Sequence, residues 1–395
     1  MANCVIKPSF LRGFDLELLY TMDGIEEYRL MSHNPLTGSL YVAPWGNSNI
    51  LRSTDGGRTF EKINDVLFGL GNSNYGYFSA YGISRHAFLF SNSGTGATSN
   101  VNIYATVIDE GSIVAPLNAN LQVGNNTIGQ MYPWSLGYAN GAFAFGASVL
   151  GYGSSTSAGT QWRDSAFELT YGSTGGTGVN DLRNYILYGG LTRGAWYYGF
   201  GVYGGYANSS LDMGTVKDFR RTPMPRTGST GGSEVISTLS SPVEIIDVKD
   251  YTGVVPDGAI AMERSGKIWA TDATELSSWA EGGAVPADVV DSHFPHVAVG
   301  RGRFGELVVM SIDTSGSKGL LTQDHGATMR AFDLPSDLGL ILPGGICPTQ
   351  GAAINQPSRV YDIKYITDPE TNHTTGRWIF CAGRAIFEMK PIYGE

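Results

Sequence analysis

The chain has 395 residues with 26 basic and 36 acidic side chains, which gives a net charge of −10. This balance argues against a nucleic-acid-binding surface, because phosphate binding needs clustered Lys and Arg. Glycine accounts for 54 residues, about twice the usual ~7%, and 16% of residues are charged against a usual ~25%. With 42% apolar residues as well, the composition predicts a folded chain of many short strands and turns.

The N-terminal sequence MANCVIKPSF lacks the apolar segment of a secretory signal, and no run of about 18 apolar residues predicts a membrane span. We therefore expect no membrane insertion. The three cysteines, Cys4, Cys347 and Cys381, are scattered along the sequence. They predict neither a disulfide framework nor a paired-cysteine metal site, although a single bridge stays open.

Strand-like segments begin after an opening segment at residues 1–28. YRLMSHN, GSLYVA and NILRS lie before residue 54, and FEKI begins at residue 60. The connecting segment, Ser53 to Phe60, has the form S-x-D-x-G-x-T-[FW]. Asp55 can accept hydrogen bonds from the amides that follow it, while Gly56 and Gly57 allow positive φ. The segment therefore predicts a hairpin turn, after which Phe60 returns its ring to a core.

This segment resembles the Asp-box (BNR) hairpin of sialidase-like β-propellers, with Ser53, Asp55, Gly57, Thr59 and Phe60 in the motif positions. A second segment matches through Thr322, Asp324, Gly326 and Thr328, with Met329 where the aromatic residue should be. In that family the Asp-box is a structural turn at a blade edge and is not catalytic. We expect the backbone donors to lower the pKa of both aspartates, which makes them poor general acids.

Further strands are predicted at Phe78–Asp109, and residues 114–226 are dominated by glycine and aromatic residues. We interpret Pro223 and Gly228–Ser233 as a loop between blades. Similar units recur about every 40–55 residues, and strand-rich sequences stand at both ends. The prediction is an all-β propeller of six or seven four-stranded blades, formed by residues 1–395 as one domain, in which the two termini share one blade.

Two motifs that imitate binding sites are interpreted as loops. Gly300–Gly305 matches G-x-G-x-x-G, but a strand follows it where a dinucleotide site needs a helix, so it predicts a hairpin turn. His293 and His296, with Asp288 and Asp291 nearby, surround a proline and lack the spacing of metal ligands. We therefore predict no cofactor, no metal and no catalytic residue.

A sialidase-like glycoside hydrolase is the alternative function, because the Asp-boxes occur in that family. Such enzymes also need three substrate-binding arginines, a Tyr–Glu pair and an acidic acid/base, and an R-x-P motif normally precedes the first box. Here R-x-P occurs only at Arg221-Thr222-Pro223, downstream of the first box. The other arginines considered lie in no assigning motif: Arg193, Arg264, Arg301, Arg303 and Arg359.

Six aromatic residues are candidates for stacking on sugar rings, although such residues more often pack in a blade core or a subunit interface. They are Tyr75, Tyr77, Trp196, Tyr197, Tyr198 and Tyr203. Together with the low charge and polar turns, they give the chain a composition that resembles that of bacteriophage tail and other virion proteins. That resemblance implies a non-enzymatic protein, assembled in the host cytoplasm, whose partners are other virion proteins or copies of itself. Host-surface glycans are a second class of partner.

Overall fold

The computed structural model describes residues 10–21, 28–33, 38–44, 50–63, 78–83, 86–93, 102–109, 112–120, 128–139, 142–151, 155–163, 168–172, 185–194, 196–203, 216–223, 234–251, 258–271, 274–334, 360–367, 369–371, 376–383 and 385–394. For the strands between residues 78 and 190 it describes the backbone alone.

The described residues form seven four-stranded antiparallel sheets, which we number I to VII. Sheet I contains β2 (Tyr28–His33), β3 (Leu40–Pro44), β4 (Ile50–Ser53) and β5 (Glu61–Ile63). Sheet II contains β6 (Phe78–Ile83), β7 (His86–Ser93), β8 (Asn102–Asp109) and β9 (Ser112–Asn120). Sheet III contains β10 (Ile128–Ala139), β11 (Ala142–Gly151), β12 (Ser155–Arg163) and β13 (Glu168–Gly172).

The second half of the chain repeats this order. Sheet IV contains β14 (Tyr185–Arg193), β15 (Trp196–Tyr203), β16 (Val216–Pro223) and β17 (Glu234–Val243). Sheet V contains β18 (Ile245–Asp250), β19 (Ala259–Glu263), β20 (Ile268–Thr271) and β21 (Ala280–Glu281). Sheet VI contains β22 (Val297–Arg301), β23 (Leu307–Ile312), β24 (Lys318–Thr322) and β25 (Arg330–Asp333). Sheet VII contains β26 (Val360–Thr367), β27 (Gly376–Ala382), β28 (Ala385–Gly394) and, from the start of the chain, β1 (Phe10–Thr21).

The sheets form a closed ring through their first strands. Each of β2, β6, β10, β14, β18, β22 and β26 contacts the first strand of the next sheet, and β26 contacts β2. These seven strands are therefore the innermost ones, and the other three strands of each sheet lie progressively farther from the axis. This arrangement confirms the prediction of an all-β propeller.

Sheet VII contains strands from both ends of the chain. Strand β1 pairs with β28 along its length, from Phe10 opposite Gly394 to Thr21 opposite Ala385. The prediction that the termini share one blade is confirmed, and the opening segment supplies its outermost strand. These hydrogen bonds join the first described strand to the last, so they close the ring.

The described core lies between neighbouring sheets. Strand β23 is buried at all six positions, since its two faces pack against different neighbours. Val308 and Met310 pack with Trp378 and Phe380 of sheet VII, while Leu307 packs on the sheet V side. A strand covered on both faces needs apolar residues at successive positions, which explains the continuous run LVVMSI.

Two connections test the loop predictions. Gly228–Ser233 lie outside the described residues, but the strands on either side, β16 and β17, pair within sheet IV, so the prediction of a loop between blades there is wrong. Sheets IV and V are instead joined through Glu244 alone. The turn after β22 leads into antiparallel β23, which confirms the hairpin predicted at Gly300–Gly305. The described part of the chain contains no helix long and apolar enough to cross a membrane.

Candidate functional site

The first segment that resembles an Asp-box, between β4 and β5, is a turn organised by one carboxylate. Oδ1 of Asp55 accepts hydrogen bonds from the amides of Arg58 and Thr59, both at 2.9 Å, and from the Ser53 hydroxyl at 2.7 Å. Oδ2 accepts the Thr59 hydroxyl at 2.6 Å. The Gly57 amide donates to Ser53 Oγ at 2.7 Å, which ties the turn to the end of β4.

The second Asp-box segment, between β24 and β25, repeats this pattern. Asp324 accepts the Thr328 amide at 2.9 Å, the Thr328 hydroxyl at 2.5 Å and the Thr322 hydroxyl at 2.8 Å. Gly326 donates to Thr322 Oγ1 at 3.0 Å. His325 occupies the position of Gly56 and has a φ of 57°, a conformation that is uncommon outside glycine.

These hydrogen bonds govern the acidity of both turn aspartates. Burial favours the protonated form and is the largest single effect at Asp55, but the bonds from Thr59, Ser53 and Arg58 outweigh it and lower the pKa to about 2. The same balance lowers the pKa of Asp324. The predicted direction is confirmed, and at neutral pH neither group has a proton to donate.

Each turn also packs against the preceding sheet of the ring. Gly57 has a φ of +86°, and a Cβ there would lie 2.5 Å from Cδ1 of Ile379 in sheet VII. Gly326 has a φ of +87°, and its Cβ would lie 2.5 Å from Cδ1 of Ile268 in sheet V. Arg377 adds a hydrogen bond from Nη1 to the Gly56 carbonyl oxygen at 2.5 Å. The two turns therefore join adjacent sheets as well as adjacent strands.

Two further aspartates bridge inner strands, and the sequence analysis assigned them no role. Asp247 on β18 accepts the amide of Val297 on β22 at 3.2 Å, and it also bonds Lys249 Nζ at 2.8 Å. Asp362 on β26 accepts the amide of Met31 on β2 at 2.9 Å and Lys364 Nζ at 2.8 Å. The carboxylates are 4% and 1% exposed. A repeated sequence, IIDVK at 245–249 and VYDIK at 360–364, is the signal that could have identified this pair.

The charges of this inner-strand cluster compensate one another. Burial acts to raise the pKa of Asp247, but Lys249, His296 and Lys364 outweigh it and hold the pKa well below the ordinary range. Burial acts to lower the pKa of Lys364, but Asp362 and Asp247 raise it. A carboxylate of such low basicity is a weak general base, and a lysine of raised pKa is a poor nucleophile. The cluster suits a structural bridge better than catalysis.

Two of the arginines considered for a substrate carboxylate, Arg193 and Arg264, are engaged with different partners. Arg193 forms a two-pronged ion pair with Asp250, at 2.8 and 2.9 Å, and donates to the carbonyl oxygens of Thr274 and Gly258 at 2.8 and 2.6 Å. Arg264 pairs with Glu244 at 2.9 Å. Arg193 thus fastens sheet IV to sheet V, and Arg359 lies outside the described residues.

The R-x-P arginine, Arg221, lies on β16 and forms a cross-strand cluster in sheet IV. Its Nε and Nη2 donate to Glu234 at 3.0 and 3.2 Å, and its guanidinium lies 4.3 Å from the ring centroid of Trp196. The hydrogen bonding of Arg221 to the Glu234 carboxylate is the main reason that the pKa of Arg221 is raised, and a hydrogen bond with Tyr198 raises it further. Both the guanidinium and one face of the indole are therefore already occupied.

The structure places two of the six candidate aromatic side chains. Tyr198 is 6% exposed and lies in the core with Phe219, while Trp196 is partly buried against the same cluster. Core packing therefore accounts for Tyr198. Tyr75 and Tyr77 lie outside the described residues, and the side chains of Tyr197 and Tyr203 do too.

The remaining candidates are the histidines and aspartates at residues 288–296, considered for metal binding, and the three cysteines. Asp288 pairs with Lys318 at 3.2 Å, and His296 with Asp247 at 3.2 Å, so these two groups have different partners. No group of three potential metal ligands occurs within the described ranges. Cys381 is a buried free thiol whose pKa is raised by burial, while Cys4 and Cys347 lie outside those ranges.

Comparison with known proteins gives similarity at the level of structure. Neither a protein-family model nor a curated protein sequence matches the chain. Among solved structures it is similar to YCF48 bound to D1 peptide, with 13% identity over 96% of this chain and 99% of that chain and a TM-score of 0.51. A chain of the mitotic checkpoint complex has 9% identity over 100% and 96% of the two chains and a TM-score of 0.53.

A third similar structure is the β-propeller domain of Cps50 (Swd1) from Myceliophteria thermophila. It has 10% identity over 95% of this chain and 99% of that domain, with a TM-score of 0.51. Identities this low carry the fold and nothing about chemistry. These comparisons agree with the ring of sheets, and the chain is an all-β propeller.

Proposed function

We propose that the chain is a non-enzymatic interaction propeller, and that it serves as a tail or decoration component of a bacteriophage virion. The observation that carries the first part is the engagement of its acidic and basic groups. Asp55 and Asp324 are bound within turns, Asp247 and Asp362 bridge inner strands, and Arg193 joins two sheets. All five stabilise contacts between strands or sheets.

The hydrolase alternative receives less support from the same contacts. A glycosidase needs two carboxyl groups about 5–10 Å apart, one of which acts as an acid. Lowered pKa values at Asp55, Asp247 and Asp324 oppose that acid role. Arg221, the arginine of the R-x-P motif, is committed to Glu234 and Trp196.

Protein partners are the favoured class of ligand. Of the similar structures, YCF48 is bound to a D1 peptide, and another is a chain of the mitotic checkpoint complex. We extend this interaction role to the present chain, with assembly through blade rims and loops. The virion setting rests on the glycine- and aromatic-rich, weakly charged sequence. Host-surface glycans remain a second proposed class of partner.

The test is assembly of the full chain. Native mass spectrometry and negative-stain imaging should find a symmetric oligomer, and mass spectrometry of purified phage particles should find the chain in stoichiometric amounts. A strictly monomeric chain that is absent from particles would refute the proposal. A panel of fluorogenic glycosides should give no turnover at high protein concentration, and turnover that survives purification would favour the hydrolase instead.

A further inference from the structure

The turn between β22 and β23, with the adjoining end of sheet VII, forms a surface that we call the arginine patch: Arg301, Arg303, Phe304 and Tyr393. A backbone hydrogen bond joins Arg303 to the Tyr393 hydroxyl. A second joins Arg301, the last residue of β22, to the hydroxyl of Tyr365 on β26. The two arginines of the turn therefore lie beside aromatic residues of sheet VII.

Phe304 is held at the tip of this turn and is 61% exposed. The Gly302 amide donates to the Glu306 carbonyl oxygen at 2.8 Å, and the Gly305 amide to the Gly302 carbonyl oxygen at 3.1 Å. The Phe304 amide donates to Glu306 Oε2 at 2.9 Å. These three hydrogen bonds hold the backbone of the turn, so little backbone freedom is lost when a partner binds there, which favours recognition.

The positive charge of the patch is largely uncompensated. Arg301 and Arg303 form no ion pair with any described residue, whereas six other described arginines do: Arg52, Arg193, Arg220, Arg221, Arg264 and Arg377. Glu306 is the acidic group in the turn, and it also accepts a hydrogen bond from Gln323 at 3.4 Å. Positive charge therefore exceeds negative charge here, on a chain whose net charge is −10.

We propose that the arginine patch binds an extended acidic segment of a partner protein, with an apolar side chain of that segment packed on Phe304. Charge complementarity selects carboxylates, which guanidinium groups bind in a two-pronged geometry. Arg and aromatic residues are also those enriched in protein interfaces. Two arginines are few for nucleic acid, which takes many phosphate contacts, and a projecting ring does not form the concave site of a small ligand.

This inference rests on the proposed interaction role but is tested separately from it. The probe is a short fluorescein-labelled peptide of glutamates that contains one leucine and one tryptophan, titrated with the full chain by fluorescence anisotropy. A peptide with glutamine in place of glutamate is its uncharged counterpart. We expect binding that weakens as salt rises, because exposed charges are screened. Arg303→Glu should weaken it roughly tenfold or more and Phe304→Ala severalfold.

Arg58→Glu is the matched control. Arg58 is exposed in the first Asp-box, and its substitution changes the net charge by as much as Arg303→Glu does. It should leave peptide affinity unchanged. Equal weakening by Arg58→Glu and Arg303→Glu, no peptide binding by the wild type, or tighter binding of single-stranded DNA or heparin would each overturn the inference. Arg303-dependent binding by a chain that never assembles would refute the virion role alone, whereas assembly without peptide binding would refute the patch alone.

Discussion

Substitution of alanine for Gly57 tests whether the Asp-box turn locks sheet I to sheet VII. At φ +86° an L-residue costs about 1–2 kcal/mol relative to glycine. The new Cβ would also lie 2.5 Å from Cδ1 of Ile379 and 3.3 Å from Cδ2 of Leu40. Overpacking of this kind costs about 1–3 kcal/mol. We therefore expect Gly57→Ala to lower the free energy of unfolding by about 2–5 kcal/mol.

The neighbouring Gly56 provides a matched control, because its φ is +70° and its Cβ would meet nothing closer than Arg377 Nη1 at 3.9 Å. Gly56→Ala should cost only the backbone part, about 1–2 kcal/mol. The assay is urea unfolding, monitored by tryptophan fluorescence. The urea midpoints are compared among variants whose free energy of unfolding has the same dependence on urea concentration. The difference between the two variants isolates the contact between sheets.

A second variant identifies the clashing atom. Ile379→Val removes Cδ1 from a fully buried side chain, which alone costs about 0.5–1.5 kcal/mol. In the Gly57→Ala background the same change should relieve part of the clash, so the two substitutions should not be additive. Equal destabilisation by Gly56→Ala and Gly57→Ala, together with additivity at Ile379, would refute a steric lock between the sheets.

The other predictions concern charged groups. The pKa of Asp55 is lowered to about 2, against an ordinary value of about 3.9, so its stabilisation is present above about pH 4 and lost as pH falls towards 2; thermal midpoints of the wild type should fall more steeply there than those of Asp55→Asn. Asp362→Asn should cost about 3–5 kcal/mol in urea unfolding by leaving Lys364 unpaired, and the added change Lys364→Met should recover part of it. Arg193→Lys should lose about 2 kcal/mol in the same assay, while Arg58→Lys should stay within about 0.5 kcal/mol.

Local patterns in the sequence predicted the parts of the fold whose contacts are local. The hydrogen bonds of Asp55 reach Ser53, Arg58 and Thr59, all within four residues, so the motif itself contains both donors and acceptor. The same holds for Asp324 and its neighbours. Strand positions in sheet I were predicted equally well, since short segments of strand-forming residues are separated there by clear turns. The strand predicted after Gly300–Gly305 is β23, whose apolar sequence LVVMSI suits a strand that is buried on both faces.

Contacts between distant residues could not be predicted in this way. Asp362 bonds the amide of Met31, which is 331 positions away, and Arg377 bonds the carbonyl group of Gly56 across 321 positions. Nothing near either residue in the sequence specifies its partner. The error at Gly228–Ser233 has a related cause, because glycine and proline mark a turn without saying whether it lies within a sheet or between two.

The long-range contacts also explain why a motif known from enzymes is compatible with an interaction protein. Asp55 organises its own turn, whereas Gly57 beside it meets Ile379 of the preceding sheet. The motif therefore specifies how one blade turns and how it docks on the next, and neither task requires a substrate. Unlike these residues, Phe304 leaves an apolar ring in water and does not pack in a blade core. That difference is the physical reason to look for the partner at the arginine patch rather than at the Asp-boxes.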